Sequence, residues 1–180
     1  LTGAYRIENR RITFHSDVSF EVRSPEPLLI HLIGEYIWNY GVTFGTHTYT
    51  DINLELYDYT IEEAELLIRM KAPLTVYCTE PESGRTCYFN PDEPQFYEMI
   101  NDNFYRKYQA YYGVAPCSLI SIELYGDRIP KKMVTRYKSS YITAWYGTYC
   151  LRGQRKYLDF LYQTGLGAKN SQGFGMFELI

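Results

Sequence analysis

Apolar residues recur along the chain at two different periods, and the helical period marks three segments. Between Ser24 and Gly41 they recur at three- and four-residue spacing, which predicts a helix with a hydroxyl and a proline at its start. A second helix is predicted between Asn90, which can cap it, and Gly113, which can end it. A third and shorter helix is predicted over 154–164.

The remaining apolar segments are rich in branched and aromatic residues, which favours strands. Arg11–Arg23 alternates and is predicted to form a strand or a hairpin. Turn clusters separate several of the segments, as in TEPESGRT at 79–86 and LRGQ at 151–154. The other predicted strands are 42–59, 65–77, 87–89, 118–125, 131–150 and 174–180.

The order of these elements predicts an α+β fold with two ferredoxin-like (RRM-like) β-α-β-β-α-β domains in tandem, the first incomplete. Residues 63–180 have the full ferredoxin-like order and are predicted to form the C-terminal domain. Residues 1–62 supply only β-α-β and are predicted to be the second half of an N-terminal domain. The chain begins at Leu1 rather than at methionine, which supports the expectation that the first half lies upstream.

Charge is distributed unevenly along the chain. The formal net charge is −3, which taken alone argues against a nucleic-acid binder. Residues 1–127 hold 9 basic and 19 acidic side chains, whereas residues 128–180 hold 9 basic and 2 acidic ones. This asymmetry indicates an anionic partner for the C-terminal part. The alternative is that the acidic part docks on the basic part.

Several classes of protein are disfavoured by the sequence. It has no apolar run of about 18 residues, so no membrane span is expected, and no signal peptide is visible. The four cysteines lack C-x-x-C spacing and fit buried residues of a reducing cytoplasm, although Cys78 and Cys87 could face each other across a hairpin. No paired-carboxylate site stands out, so no metal and no cofactor is predicted.

The last seventeen residues, TGLGAKNSQGFGMFELI, contain a loop with unusual composition. Glycine permits positive φ and close backbone approach, and consecutive N–H groups in such a loop can bind an anion. The loop is not a phosphate-binding Walker loop, because no G-K-[S/T] opens a helix after it. It is not a dinucleotide fingerprint either, because a helix precedes it and a strand follows. Taken alone it could equally be a tight turn.

The position of GLGAKNSQGFG, after a helix and before the last strand, resembles the RAMP superfamily of CRISPR-associated proteins. Within it, the chain is similar to the endoribonucleases that process CRISPR repeat RNA. The segment from YITAWYG to the C-terminus is similar to the closing hairpin, helix and loop of that family. FNPDEPQFYEMINDNFYRKYQAYYG is similar to its central helix, and FEVRSPEPLLIHLIGEYIWN to the end of its first domain.

The resemblance implies a prokaryotic cytoplasmic protein whose partner is CRISPR repeat RNA. It also implies metal-independent cleavage of precursor CRISPR RNA, in which the ribose 2′-hydroxyl attacks its own phosphate and leaves a 2′,3′-cyclic phosphate. A homodimer and other CRISPR-associated proteins are further partners that the resemblance allows. Two alternatives remain open: a non-catalytic RAMP subunit that holds guide RNA in an effector complex, and a ferredoxin-like module that binds another protein.

The resemblance assigns no catalytic residue to this chain. Chemistry of this kind needs a general acid or base, usually histidine, and in the family that histidine precedes the point at which Leu1 aligns. His15, His31 and His47 are each weak candidates, because a lone histidine is more often a packed or surface residue.

Basic residues of the C-terminal part and the glycine loop are the predicted RNA contacts. In one continuous strand Lys132, Arg136 and Lys138 would share a face, although a solvated strand face would look the same. The full predicted set is Lys131, Lys132, Arg136, Lys138, Arg152, Arg155, Lys156, Gly165, Gly167, Lys169, Asn170, Ser171, Gly173 and Gly175.

Overall fold

The computed structural model describes residues 3–9, 11–138 and 140–180, so residue 139 of the predicted long strand and Leu1 lie outside it. The chain divides into two compact units, 1–56 and 57–180. The division falls a few residues before the boundary predicted at 62. In the described part, no helix is long and apolar enough to cross a membrane.

The first unit consists of two hairpins and one helix. Helix α1 begins at Pro27, and its end is closed by Gly41, whose N–H donates to the Ile37 carbonyl at 2.8 Å. Gly41 has a φ of 75°, which favours glycine. The predicted glycine stop is therefore correct. The elements of this unit are β1 (Tyr5–Glu8), β2 (Arg11–Phe14), α1 (Pro27–Tyr40), β3 (Val42–Phe44) and β4 (His47–Tyr49).

Both long strands predicted for the first unit are wrong in extent. In the segment 11–23, strand β2 ends at Phe14, which pairs with Tyr5 in the β1–β2 hairpin. The segment 42–59 turns back at Gly45, whose φ is 63°, and forms the β3–β4 hairpin. Residues 50–63 form no strand in the described structure, because a strand needs a partner for its backbone groups.

The second unit is built on a four-stranded antiparallel sheet with the order β12-β5-β11-β8. Helix α2 connects β5 to β8 and helix α3 connects β11 to β12, which gives the β-α-β-β-α-β order of the ferredoxin-like motif. Its elements are β5 (Glu65–Met70), β6 (Tyr77–Thr79), β7 (Thr86–Tyr88), α2 (Pro94–Tyr112), β8 (Ser121–Leu124), β9 (Lys131–Tyr137), β10 (Ser140–Tyr146), β11 (Thr148–Arg152), α3 (Arg155–Thr164) and β12 (Phe177–Leu179).

Two hairpins are inserted between these elements. The predicted strand 131–150 is in fact divided among three strands. The chain reverses at Lys138, where φ is 55°, so that β9 pairs with β10, and β11 begins after Gly147. The β6–β7 hairpin places Cys78 opposite Cys87, as the sequence allows, and both are free thiols. These two hairpins and the loop after α3 lie outside the four-stranded sheet.

The core of the second unit lies between the sheet and the two helices. Helix α2 buries one residue per turn, namely Phe96, Ile100, Phe104 and Tyr108, as its apolar spacing predicts. The ring of Phe104 lies 5.2 Å from that of Tyr157 on α3. Because aromatic rings bury large areas, these contacts are a major source of stability for the unit.

Replacing Phe104 tests this packing. The side chain is 1 % exposed, so Phe104→Ala leaves a cavity and is expected to lower the free energy of unfolding by about 3–5 kcal/mol. Urea titration followed by circular dichroism measures the change. The adjacent Tyr105→Ala, at a side chain that is 38 % exposed, is the matched control. Equal losses in the two variants would contradict the assigned core.

Candidate nucleic-acid interface

The glycine-rich loop, residues 165–175, is held against the segment that follows β5. The N–H of Ala168 donates to the Thr75 carbonyl at 2.9 Å, and the N–H of Gly175 donates to the Pro73 carbonyl at 3.0 Å. The N–H of Leu166 donates to the Gly175 carbonyl at 2.9 Å and closes the base of the loop. These three N–H groups are therefore not available to a phosphate, and the loop is fixed by its own backbone.

Its glycines are required by close backbone contacts as well as by positive φ. A Cβ on Gly175, where φ is 80°, would lie 2.0 Å from the Leu166 carbonyl oxygen. A Cβ on Gly167 would lie 2.6 Å from the Thr75 carbonyl oxygen. Gly173 also has positive φ, but a Cβ there would meet open space. Gly167 and Gly175 are buried and shape the loop, while their predicted part in RNA binding stays a prediction.

Asn170 links the two sides of the loop. Its Nδ2 donates to the carbonyls of Leu166, at 2.9 Å, and Phe174, at 3.1 Å. Its Oδ1 accepts a hydrogen bond of 3.0 Å from the Nζ of Lys107 on helix α2. The same Nζ donates to the Gly165 carbonyl at 2.5 Å. The side chain of Asn170, which is predicted to contact RNA, thus also holds the loop together through its hydrogen bonds.

Lys107 is a residue that the sequence analysis missed. The residue as a whole is half-buried, but burial of its Nζ lowers its pKa to about 7, because a buried site disfavours the charged form. A neutral amine still has two hydrogens for Gly165 and Asn170. The signal was present in the sequence: Lys107 falls seven residues after Ile100, within the apolar stripe of α2.

Lys169 occupies the accessible side of the loop. It has a φ of 59°, and its Nζ lies 4.6 Å from the centre of the Tyr77 ring on β6. Ser171 and Gly173 follow it and are exposed. The predicted contacts Lys169, Ser171 and Gly173 are therefore placed where a ligand could reach them.

The β9–β10 hairpin has two faces, and they separate the predicted basic residues. Directly opposed residues share a face, so Lys132, opposite Trp145, lies with Arg136, opposite Tyr141. The Nζ of Lys132 lies 5.6 Å from the centre of the Trp145 ring. We call this the outer face.

The other face of the hairpin meets the glycine-rich loop. Ile142 and Ala144 of β10 are buried with Phe174 of the loop, and Met133 and Tyr88 pack against them. Lys138 does not share the outer face by strand parity, because it lies in the turn after β9. The prediction of one continuous basic strand face is therefore wrong for Lys138.

The remaining predicted contacts lie elsewhere. Arg152 on β11 forms ion pairs with Glu65, at 2.8 Å, and Glu123, at 3.1 Å. Hydrogen bonding and charge from Arg152 lower the pKa of the Glu65 carboxyl. Arg155 and Lys156 begin α3, and a helix of ten residues separates them from the loop by about 15 Å. The structure therefore does not bring these three residues to the glycine-rich loop.

The three histidines lie in the first unit. His31 is exposed on α1, and His47 is exposed on β4, where its Nδ1 lies 3.2 Å from the Thr46 hydroxyl. The N–H of His15 donates to the Ala4 carbonyl at 2.8 Å. Among the described residues, no group of three or more His, Cys, Asp or Glu side chains could hold a metal ion.

The fold and the loop define a class of mixed α+β proteins with antiparallel sheets and a glycine-rich loop before the last strand. The family model described as CRISPR associated protein Cas6, C-terminal, matches residues 55–179. The chain belongs to this family, as the resemblance of its C-terminal sequence predicted.

Two curated relatives are similar in sequence. The CRISPR-associated endoribonuclease Cas6 of Pyrococcus furiosus is 34% identical over 109 residues, which are 60% of this chain and 39% of that protein. The CRISPR-associated endoribonuclease Cas6 1 of Methanocaldococcus jannaschii is 33% identical over 99 residues, 54% of this chain and 38% of that protein. The matched region thus spans about two fifths of the length of these relatives.

Solved structures show the same fold. A structure described as an RAMP protein binding different RNA substrates has a TM-score of 0.76 at 20% identity, and the match covers 98% of this chain and 75% of that one. A structure described as CRISPR associated protein Cas6 has a TM-score of 0.56 at 26% identity, covering 71% and 51%. A mixed α+β fold of the RAMP kind is therefore confirmed for the chain.

The buried Lys107 predicts a pH dependence of stability. Its pKa is about 7 in the folded chain, against an ordinary value of 10.5. Between pH 7 and pH 10.5 the unfolded chain therefore binds more protons than the folded chain. The free energy of unfolding rises with pH across this range, by at most about 1.4 kcal/mol per pH unit. Lys107→Met is expected to remove this rise. Urea titrations at several pH values measure it, with Lys132→Met on the outer face as the control. Identical slopes in Lys107→Met and the unsubstituted chain would contradict the assignment.

The backbone contact at Gly175 is tested against Gly173. Both alanine variants place a Cβ at positive φ, which costs roughly 1–2 kcal/mol, but only Gly175→Ala also overlaps a carbonyl oxygen. Gly175→Ala is expected to be the less stable variant and to speed hydrogen exchange of the Ala168 amide. Equal stability of the two variants would show that the close approach is not a constraint.

Proposed function

We propose that the chain binds CRISPR repeat RNA through its second unit, as part of an endoribonuclease that processes precursor CRISPR RNA. The main observation behind this proposal is the geometry of the glycine-rich loop. Hydrogen bonds of Lys107 and Asn170 hold the loop in place, and Lys169 lies on its accessible side. Its support from comparison is the family match over residues 55–179 and two relatives named as endoribonucleases.

The electrostatics of the C-terminal part suit an RNA backbone. Residues 128–180 carry 9 basic and only 2 acidic side chains. One of these basic residues, Arg152, forms ion pairs with two carboxylates, those of Glu65 and Glu123. Lysine contacts to phosphates supply affinity and register without reading bases. A rigid loop loses little conformational entropy when it binds, which favours its use as a fixed contact.

The proposed reaction is an attack of the ribose 2′-hydroxyl on the adjacent phosphate. The new O–P bond gives a 2′,3′-cyclic phosphate, and the 2′-hydroxyl proton passes to a general base. The bond between phosphorus and the 5′-oxygen breaks, and the 5′-oxygen takes up a proton and becomes a hydroxyl. The step needs a general base, a general acid and a cation for the developing charge. It needs no metal ion. The acid–base groups are not assigned to residues of this chain.

The proposal extends to domain organisation. The second unit has the full β-α-β-β-α-β order, and the first unit is proposed to be the second half of another such domain. A non-catalytic RAMP subunit that binds RNA is the second candidate. It is supported by the likeness in fold, over 98% of the chain, to the RAMP protein described as binding different RNA substrates.

The proposal is tested with a repeat hairpin RNA from the same genome and EDTA in the buffer. We expect salt-sensitive binding, because each phosphate contact that forms releases condensed counterions and this release is less favourable at higher salt. A single cut that leaves a cyclic phosphate and a 5′-hydroxyl would establish the enzyme. Binding without a cut would support either the non-catalytic subunit or an enzyme whose catalytic groups are not in this chain. Absence of binding at low salt would contradict both candidates.

A further inference from the structure

Three elements of the second unit surround one cavity beside the glycine-rich loop. The β6–β7 hairpin, the β9–β10 hairpin and the loop border a space of about 390 Å³ that is open to solvent, a volume in the range of small-ligand sites. We call this space the tyrosine cavity. Its lining includes Tyr77, Tyr88, Tyr137, Lys138, Lys169 and Gln172.

Three tyrosine rings are among the side chains that line this cavity. The rings of Tyr77 and Tyr88, directly opposed in the β6–β7 hairpin, lie 5.6 Å apart with an angle of 49° between them. Both are half-buried, and burial raises the pKa of the Tyr88 hydroxyl. Tyr137, at the end of β9, is 50 % exposed. An aromatic surface of this kind offers stacking area for a planar ligand.

Two lysines lie at the cavity in an uncommon backbone conformation. Among the described residues, the non-glycine residues with positive φ are Asn9, Lys138 and Lys169, and two of these three line the tyrosine cavity. The Nζ of Lys169 lies 4.6 Å from the Tyr77 ring centre, and the Nζ of Lys138 lies 5.5 Å from that of Tyr137. Positive φ is unfavourable for lysine, so the fold holds both cations beside aromatic rings at a cost.

We propose that the tyrosine cavity receives one unpaired nucleotide of the bound RNA, with its base against the tyrosine rings and its phosphates on Lys138 and Lys169. The site rests on the proposed function and specifies where the RNA is single-stranded. A paired base has both faces covered by its neighbours in the duplex, whereas an unpaired base can be turned outward and stacked on aromatic side chains. Two lysines among the lining residues provide one cation for each of the two phosphates that flank a nucleotide.

The structure also explains why this site is built from parts that are distant in sequence. Phe174 of the glycine-rich loop packs with Ile142 and Ala144 of β10, which fixes the loop against the hairpin that carries Tyr137 and Lys138. The brace from Lys107 through Asn170 holds the loop segment that carries Lys169. Both lysines are thereby positioned by buried contacts, although each is reached from solvent.

The test compares tyrosine variants on the two faces of the β9–β10 hairpin. Affinity for single-stranded repeat RNA is measured by fluorescence anisotropy at fixed salt. Tyr137→Ala is expected to weaken binding about 5- to 150-fold, the range for loss of one stacked base, whereas Tyr137→Phe retains the ring and the affinity. Tyr137 is half exposed, so its replacement leaves the fold intact. Tyr125→Ala, at a residue 54 % exposed in the loop after β8, is the neutral control.

Two further variants test the lysines. Lys138→Asn and Lys169→Asn remove the charge but keep a residue that tolerates positive φ. Each is expected to reduce the slope of log affinity against log salt by about 0.7, the value for one phosphate contact to a single strand. Arg128→Asn, an exposed cation in the loop after β8, is expected to leave the slope unchanged.

The outcomes separate this site from the proposed function. Wild-type affinity in Tyr137→Ala, while the unsubstituted chain binds RNA, would overturn the tyrosine cavity and leave RNA binding intact. A larger loss in Tyr141→Ala, 63 % exposed on the outer face, than in Tyr137→Ala would place the RNA on that face and overturn the cavity as well. No affinity in the unsubstituted chain at low salt would overturn both proposals.

Discussion

The close approach of two backbone segments within the glycine-rich loop is the constraint on which this surface depends. Only a residue without a Cβ fits at position 175, where a side chain would overlap the Leu166 carbonyl oxygen. Asn170 then spans the gap between Leu166 and Phe174, and Lys107 reaches from α2 to hold Asn170 in place. Burying the Lys107 amine disfavours its charged form and lowers its pKa to about 7. The hydrogen bonds that the amine donates fix the geometry of the loop. The loop is therefore a rigid part of the fold rather than a flexible arm.

That rigidity gives the surrounding charges a defined position. The loop carries Lys169, and the packing of Phe174 against β10 brings Lys138 to the same cavity. Other basic residues have different roles in the structure: Arg152 is paired with two carboxylates, while Lys132 and Arg136 lie on the outer face of the hairpin. Five of the nine basic residues of the C-terminal part are thus divided among three places. Only one of them combines lysines with tyrosine rings in a cavity.

The helices and their order could be predicted well because their signals are local. Helix α2 buries Phe96, Ile100 and Phe104 at the spacing visible in the sequence, and Gly113 ends it with a φ of 72°. Strand limits were predicted poorly, since alternation does not show where a strand finds a partner. The segment 131–150 has strand composition throughout, yet it reverses at Lys138 and forms three strands. Ser139 and Ser140 follow Lys138 and are of a type common in turns, but two serines within a segment of strand composition are a weak turn signal.

The family was indicated by the resemblance of the C-terminal segment, whereas the element order of the second unit follows from periodic burial and the glycine-rich loop from residues whose backbone freedom is local. Which basic side chains share a surface depends on the tertiary structure, because opposed strands and packed loops join residues far apart in the chain. Tyr77, Tyr137 and Lys169 meet at one cavity although about sixty and about thirty residues separate them along the chain. Lys107 is the clearest case: its spacing put it in an apolar stripe, but only the packing of α2 beneath the loop shows what its amine binds.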